Sequence, residues 1–192
     1  MQTLESIVKD LETIALEGGA NAVKLISPQD VVVAQWVRNK CQFGCRHFAK
    51  RFTCPPYSPT PQETAEVLQS YNQALLVEFA DRYLDRLRQE PEKTMFHQTL
   101  YNMERTAFLS GYEKALCYDA GPCVLCKECP AEKLESPSLF LKKECKRPKE
   151  ARPAMEAAGI DVYSTVRRAG LEIHVVRDKA EPFKSFGLLL LE

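Results

Sequence analysis

The sequence predicts an α/β or α+β domain, a central mixed sheet flanked by helices with two cysteine-rich metal-binding loops. Three observations point there. Short aliphatic runs alternate with stretches whose apolar residues recur at helical spacing. Glycines and prolines stand at the junctions. Seven of the eight cysteines fall into two clusters between such elements. A chain of 192 residues with 45% hydrophobic content can bury a core of its own, so residues 1–192 read as one domain.

Leu4, Ile7, Val8, Leu11, Ile14 and Ala15 make one apolar helical face, and Gly18-Gly19 stops it. Residues 22–26 and 31–37 read as strands, the second rich in valine, with Ser27-Pro28-Gln29-Asp30 as the turn between them. The second strand is expected to deliver the chain to Cys41. At 60–63 the signals are explicit: Thr60 caps, Pro61 fits the first helical position and Glu63 completes a capping box. That helix is expected to reach about Tyr71, and 74–79 to follow as a buried strand. A long helix is expected over 92–110, with Met95, Phe96, Thr99, Met103, Ala107 and Phe108 inward and Gly111 ending it. Residues 112–118 read as a strand feeding Gly121-Pro122. The last third reads as a helix over 152–158 stopped by Gly159, a short helix from Asp161 to Gly170, and strands at 171–177 and 186–191.

Composition favours metal over disulfide. The start, Met1-Gln2-Thr3-Leu4-Glu5-Ser6, has no basic or apolar leader, so the expectation is a cytoplasmic protein with reduced thiols. No apolar run is long enough to span a bilayer. The net charge is zero but uneven. No Asp or Glu occurs from 31 to 62, against Arg38, Lys40, Arg46, Lys50 and Arg51. Lys142, Lys143, Lys146, Arg147, Lys149 and Arg152 crowd the later segment. Thiolate clusters are anionic, and cations nearby stabilise that charge. Trp36, Phe43, Phe48, Phe52 and Tyr57 interleave with the first basic run, a pattern nucleic acid could use, but the neutral chain ranks that reading lower.

The sharper cysteine cluster is Cys123-x2-Cys126-x2-Cys129, followed at a distance by Cys145. Three thiols at two-residue gaps let one short loop wrap a cubane, while structural zinc more often uses pairs. A [4Fe-4S] cluster on Cys123, Cys126, Cys129 and Cys145 is the expectation, with Cys54, which precedes Pro55, as the rival fourth ligand. Cys41-x3-Cys45-x8-Cys54 gives three donors for a second site, iron–sulfur or zinc. Its fourth ligand could be His47 or Cys117; without one, an open position is left for substrate. Cys117 stands in an apolar run and reads as a core thiol. His97 and His174 read as surface or core residues rather than ligands. Glu156 and Asp161 flank a turn, Asp161 as a helix cap. No glycine-rich phosphate loop and no paired catalytic carboxylates stand out.

Three stretches together carry a family likeness. They are Cys41-Gln-Phe-Gly-Cys45 running to Cys54-Pro55-Pro56-Tyr57, then Gly121-Pro122-Cys123-x2-Cys126-x2-Cys129, then Cys145-Lys146-Arg147-Pro148 with Arg152-Pro153-Ala154-Met155-Glu156. The chain resembles an uncharacterised family of cysteine-rich predicted metal-binding proteins, a domain of unknown function seen mainly in anaerobic bacteria and archaea. Members often carry a tyrosine a few residues after the second cysteine, where this chain has Phe48. The resemblance implies a metal but no reaction. The expected role is electron transfer or redox service to a partner protein. The alternatives are an enzyme using an open metal position at Cys41, Cys45 and Cys54, and a zinc-stabilised nucleic-acid or protein binding module.

Overall fold

A computed structural model describes residues 2–83, 92–134 and 144–192. Lys142 and Lys143 lie outside them. The architecture is α+β. Helix α1 (Leu4–Glu17) is capped by the Thr3 hydroxyl accepting from Ser6 N–H. Strand β1 (Ala22–Ile26) and a 3-10 turn at Pro28–Asp30 follow. Then come α2 (Gln35–Gly44), α3 (Pro61–Leu68), β2 (Ala74–Arg82), α4 (Glu92–Leu109) and β3 (Leu116–Tyr118). A 3-10 turn at Glu156–Ala158, α5 (Val162–Arg168) and β4 (Phe183–Leu190) complete the chain.

The strands run in the order β1-β2-β4-β3, and every ladder is antiparallel. Among the described residues the sheet is therefore antiparallel and not mixed as expected; a parallel bridge between Asp119 and Ala154 lies outside its strands. The two central strands are buried on both faces. Leu75, Val77, Phe79 and Leu189 pack with Ile7 and Leu11 of α1 and with Phe96, Leu100 and Met103 of α4. Ala74, Leu76, Phe186, Leu188 and Leu190 face the other way, against Leu68, Met155, Ile160 and Val166. This is why the aliphatic runs in β2 and β4 are continuous instead of alternating. At Gly187 the contact with α4 is so close that an added Cβ would lie 2.4 Å from Leu100 Cδ1.

Local signals held where they were strongest. The Thr60–Glu63 capping box forms, with Glu63 Oε2 accepting from Thr60 N–H at 2.7 Å and Thr60 Oγ1 accepting from Glu63 N–H at 3.2 Å. The Asp161 carboxylate caps α5 by accepting from Ser164 N–H at 3.0 Å. On α4, Phe96, Met103 and Ala107 are buried, but Phe108 is exposed and Leu100 takes the core position instead.

Four elements differ. The strand expected over 112–118 shortens to Leu116–Tyr118. Residues 31–37 do not form a strand: only Val33 bridges to Ile160, and a helix begins at Gln35, so Cys41 sits on the last turns of α2. Residues 171–177 make no ladder; β4 pairs β2 on one side and β3 on the other. The predicted helix over 152–158 shortens to the turn Glu156–Ala158. Gly159 ends that turn at φ 82, where a Cβ would also stand 2.7 Å from Pro61 Cγ.

Candidate metal centre

The second cysteine loop leaves β3 through Asp119, which is pinned on both sides: its N–H donates to Pro153 O and its carbonyl accepts from Met155 N–H, each at 2.8 Å. These bonds lay the segment after Cys145 beside the root of the loop. As a result Cys123, Cys126, Cys129 and Cys145 line one cavity, with Arg51, Phe52, Thr53, Lys146 and Arg147 in the rest of its wall. Thr53 is buried, with its hydroxyl beside the Cys54 thiol, where its hydrogen bond partly offsets the rise in that thiol's pKa; the buried Arg51 Nε has no hydrogen-bond partner. The other end of Arg51 pairs with Glu132 and donates to Lys50 O. Burial pushes the Cys123 thiol up to about 11, with Asp119, Cys126 and Cys129 adding to it and a bond from Leu125 N–H opposing. Cys145 is raised by burial and then by Cys129 and Cys126.

The first group is built on α2 and the turns behind it. Cys45 N–H donates to Cys41 O at 3.3 Å and closes the helix. Successive tight bonds bring Cys54 back: Ala49 N–H to Pro55 O at 2.7 Å, Cys54 N–H to Arg51 O at 3.0 Å, Ser58 N–H to Cys54 O at 3.2 Å. Arg38, one turn before Cys41, locks the arrangement. Its Nη1 donates to Ser58 Oγ, Pro59 O and Ala157 O at 3.0, 2.7 and 2.7 Å. Cys54 is buried and pushed up to about 12, by burial first and then by Cys45 and Cys41, with a smaller contribution from Cys123. Cys41 is raised by burial, then by Cys45 and Glu156, and lowered by Arg38. Cys45 is exposed.

The two groups therefore adjoin, with Cys54 in the field of both. Cys54 does not line the cavity of the triple; Cys145 does. Cys117 stands apart. It packs on the α1–α4 face of the sheet, whereas the Met155–Ile160 segment against α2 is on the opposite face. Its burial and the neighbouring Glu104 carboxylate hold its thiol well above the usual range. His97 is buried on α4 with Nδ1 paired to Asp119 Oδ2, and His174 is exposed on the segment that forms no strand. His47 accepts from Arg46 Nε at 3.2 Å, and burial together with Arg46, Arg51 and Lys50 lowers its pKa. The aromatics of the first basic run do not form one exposed row. Trp36 and Phe43 are exposed, but Phe52 is buried with its ring edge-on to Tyr57 at 5.3 Å.

Sequence reasoning passed over Thr53, Asp119 and Glu156 as parts of the site and took Arg38 and Arg51 only as members of a basic run beside the cysteines. Arg38 had a signal, the i to i+3 spacing to Cys41 on a helix, hidden by reading that stretch as a strand. Thr53 directly precedes Cys54. Glu156 had none, since the Asp119–Ala154 bridge and the bonds of Arg38 and Ser58 to Ala157 O bring it to the cysteines.

Among the described residues, no three His, Cys, Asp or Glu side chains gather closely enough to hold a single metal ion, and no helix is long and apolar enough to cross a membrane. The fold and its grouped thiols define a cysteine-rich α+β protein of the predicted metal-binding class. More particularly, the chain belongs to the family DUF2284, described as predicted metal-binding protein and a domain of unknown function, whose model matches residues 24–191. Comparison with curated proteins and with solved structures gave no match.

Proposed function

We propose that the chain is a cytoplasmic iron–sulfur protein that passes electrons to a partner protein. Cys123, Cys126, Cys129 and Cys145 would hold a [4Fe-4S] cluster, and Cys41, Cys45 and Cys54 a second metal. The observation that carries this reading is the single cavity lined by four thiols from two separated segments. The four cysteines line one cavity without converging on a single metal-ion position, as a multinuclear group bound at each corner by one thiolate would require. The rest of the wall suits an anion. Arg51 Nε is a buried donor lacking a partner, the buried Thr53 hydroxyl lies beside the Cys54 thiol, and Lys146 and Arg147 bring positive charge. Orphaned buried donors are costly, and sulfide or thiolate sulfur facing them would remove that cost. When bound, the cluster supplies one-electron chemistry.

The chain's own residues do the remainder. The basic wall favours the more anionic, reduced state and raises the potential. Phe52 and Leu125 give the cavity an apolar part to its wall. Cys54 sets the second site beside the first, and the exposed Cys45, next to exposed Phe43, gives a partner access. The test is iron and acid-labile sulfide analysis of protein made without oxygen. About four irons with matching sulfide at one cavity are expected, lost in Cys126→Ala. Zinc alone, under iron-replete conditions, would reject the reading.

A further inference from the structure

Helix α2 divides its residues between two faces. Val37, Arg38 and Cys41 turn inward: Val37 is buried, Arg38 bonds to Ser58, Pro59 and Ala157, and the Cys41 sulfur lies 3.9 Å from the Glu156 carbonyl oxygen. Trp36, Lys40 and Phe43 stand at i, i+4 and i+7 and share the outer face. The Lys40 ammonium lies over the Trp36 ring, 5.1 Å from its centre. Trp36 is 46% exposed and Phe43 82%, so both rings meet solvent. The stripe runs straight into exposed Cys45, and exposed Arg46 and Lys50 follow on the turns beyond it. Among the described residues, Lys40, Arg46 and Lys50 have no carboxylate partner. No Asp or Glu occurs anywhere in 31–62 to supply one locally.

We propose that this face, Trp36, Lys40 and Phe43 of α2 with Cys45, Arg46 and Lys50 beyond it, docks an acidic one-electron carrier protein. The proposal rests on the iron–sulfur reading and names the partner of that site. Charge decides the chemistry of the occupant. Three unpaired cations with no carboxylate among them attract a surface that sets carboxylates round an apolar centre, and repel a basic one. Trp36 and Phe43 supply the apolar centre on this side and the cations supply the rim. The ten residues of α2 span about 15 Å, a footprint suited to the small, short-lived interfaces of electron transfer. Nucleic acid fits less well. One face of the Trp36 ring is taken by Lys40, Phe52 is buried, and Phe48 and Tyr57 are half-buried, so no row of open rings is left for bases. A second copy of the chain would set like charges against like. Docking here brings the carrier against Cys45 and the first cysteine group, which adjoins the four-thiol cavity through Cys54. One electron leaves the reduced cluster and enters the oxidised carrier, and no bond forms or breaks.

Trp36 is the one tryptophan of the chain, so fluorotryptophan places a single fluorine resonance on the docking face. Full-length protein carrying it, purified without oxygen, is titrated at low ionic strength with two probes, an oxidised acidic flavodoxin and an oxidised acidic ferredoxin. Iron and sulfide are measured on the same sample. The resonance should shift to saturation with at least one carrier, and added salt should weaken the binding. Lys40→Glu should weaken it by about tenfold at low salt, and Phe43→Ser by about tenfold at low and high salt alike. Lys9→Glu makes the same change of charge at an exposed position of α1, across the sheet, and should leave the binding as it was. No saturable shift with either carrier, undiminished binding in Lys40→Glu or Phe43→Ser, or an equal loss in Lys9→Glu would each overturn the proposal. So would tighter binding of a short single-stranded oligonucleotide, or a resonance that moves with protein concentration alone, the mark of a second copy. A shift in protein that lacks iron and sulfide would sink the iron–sulfur reading and leave the docking face standing; iron and sulfide without a shift would sink the docking face alone.

Discussion

Glu104 on α4 is the carboxylate on which two chain segments depend. It accepts from Arg152 Nε at 2.8 and 3.1 Å, again from Arg152 Nη2, and from the Cys117 backbone N–H at 2.7 Å. The last bond matters because β3 is an edge strand whose Cys117 pairs only with β4. Its outward N–H is buried and would otherwise be orphaned. Both ends of the ion pair are largely covered, with side-chain exposures of 20% for Arg152 and 11% for Glu104. Replacing Glu104 by Met therefore leaves a buried guanidinium without its partner, about 3–5 kcal/mol, and an unpaired N–H, about 1–3 kcal/mol. Because the two overlap, roughly 4–6 kcal/mol is expected, a large fraction of a typical domain's stability. Glu104→Gln keeps an acceptor for Cys117 and should cost about 2–4 kcal/mol. Adding Arg152→Met to Glu104→Met should recover part of the loss, since no lone charge is then buried. The assay is urea unfolding of reduced, metal-free protein, with the midpoint read at constant slope. A Glu104→Met variant within about 1 kcal/mol of the unaltered protein, or a double variant whose loss is the plain total of the singles, would refute this account.

Further outcomes are expected at the thiols and around them. Cys117→Ala removes one buried sulfur and should cost on the order of 1 kcal/mol with metal content unchanged; loss of metal at unchanged folding would make Cys117 a ligand after all. Burial holds the Cys54 and Cys123 thiols at about 12 and about 11, above their ordinary 9.0. The folded metal-free protein thus keeps these protons longer than the unfolded chain does. That stabilisation is complete below pH 9 and is lost as pH rises from about 9 towards about 12, so the unfolding midpoint should fall across that window. A midpoint flat over it would show that the thiols are not enclosed. Thr53→Val should lower the reduction potential of the iron–sulfur protein at unchanged iron, because a donor to sulfur is removed; an unaltered potential would place the hydroxyl elsewhere.

Much of the chain could be read locally. The α1 stripe, the Thr60 capping box, the Asp161 cap and the Gly159 stop depend on residues three or four apart, and each appears in the fold. The leucine run of β4 predicted a buried strand, and its alternate residues do enter two cores. The spacing of Cys123, Cys126 and Cys129 was equally local. What misled was also local: the valines at 31–33 favour a strand, yet a helix starts at Gln35 without a side-chain cap at Ala34. Arg38 and Val37 explain it, the first bonding to Ser58, Pro59 and Ala157, the second buried.

The sequence by itself determined the donor types, their two groupings and the helices and strands with capped or continuous apolar patterns. Only the tertiary structure decided the strand order, the joining of Cys145 to the 123–129 loop, the exile of Cys117 to the far face and the approach of Glu156 to Cys41. Propensity, capping and loop spacing are set by neighbours along the chain, whereas these placements depend on contacts such as that between Cys41 and Glu156, 115 residues apart, which exist only once both faces of the sheet are packed.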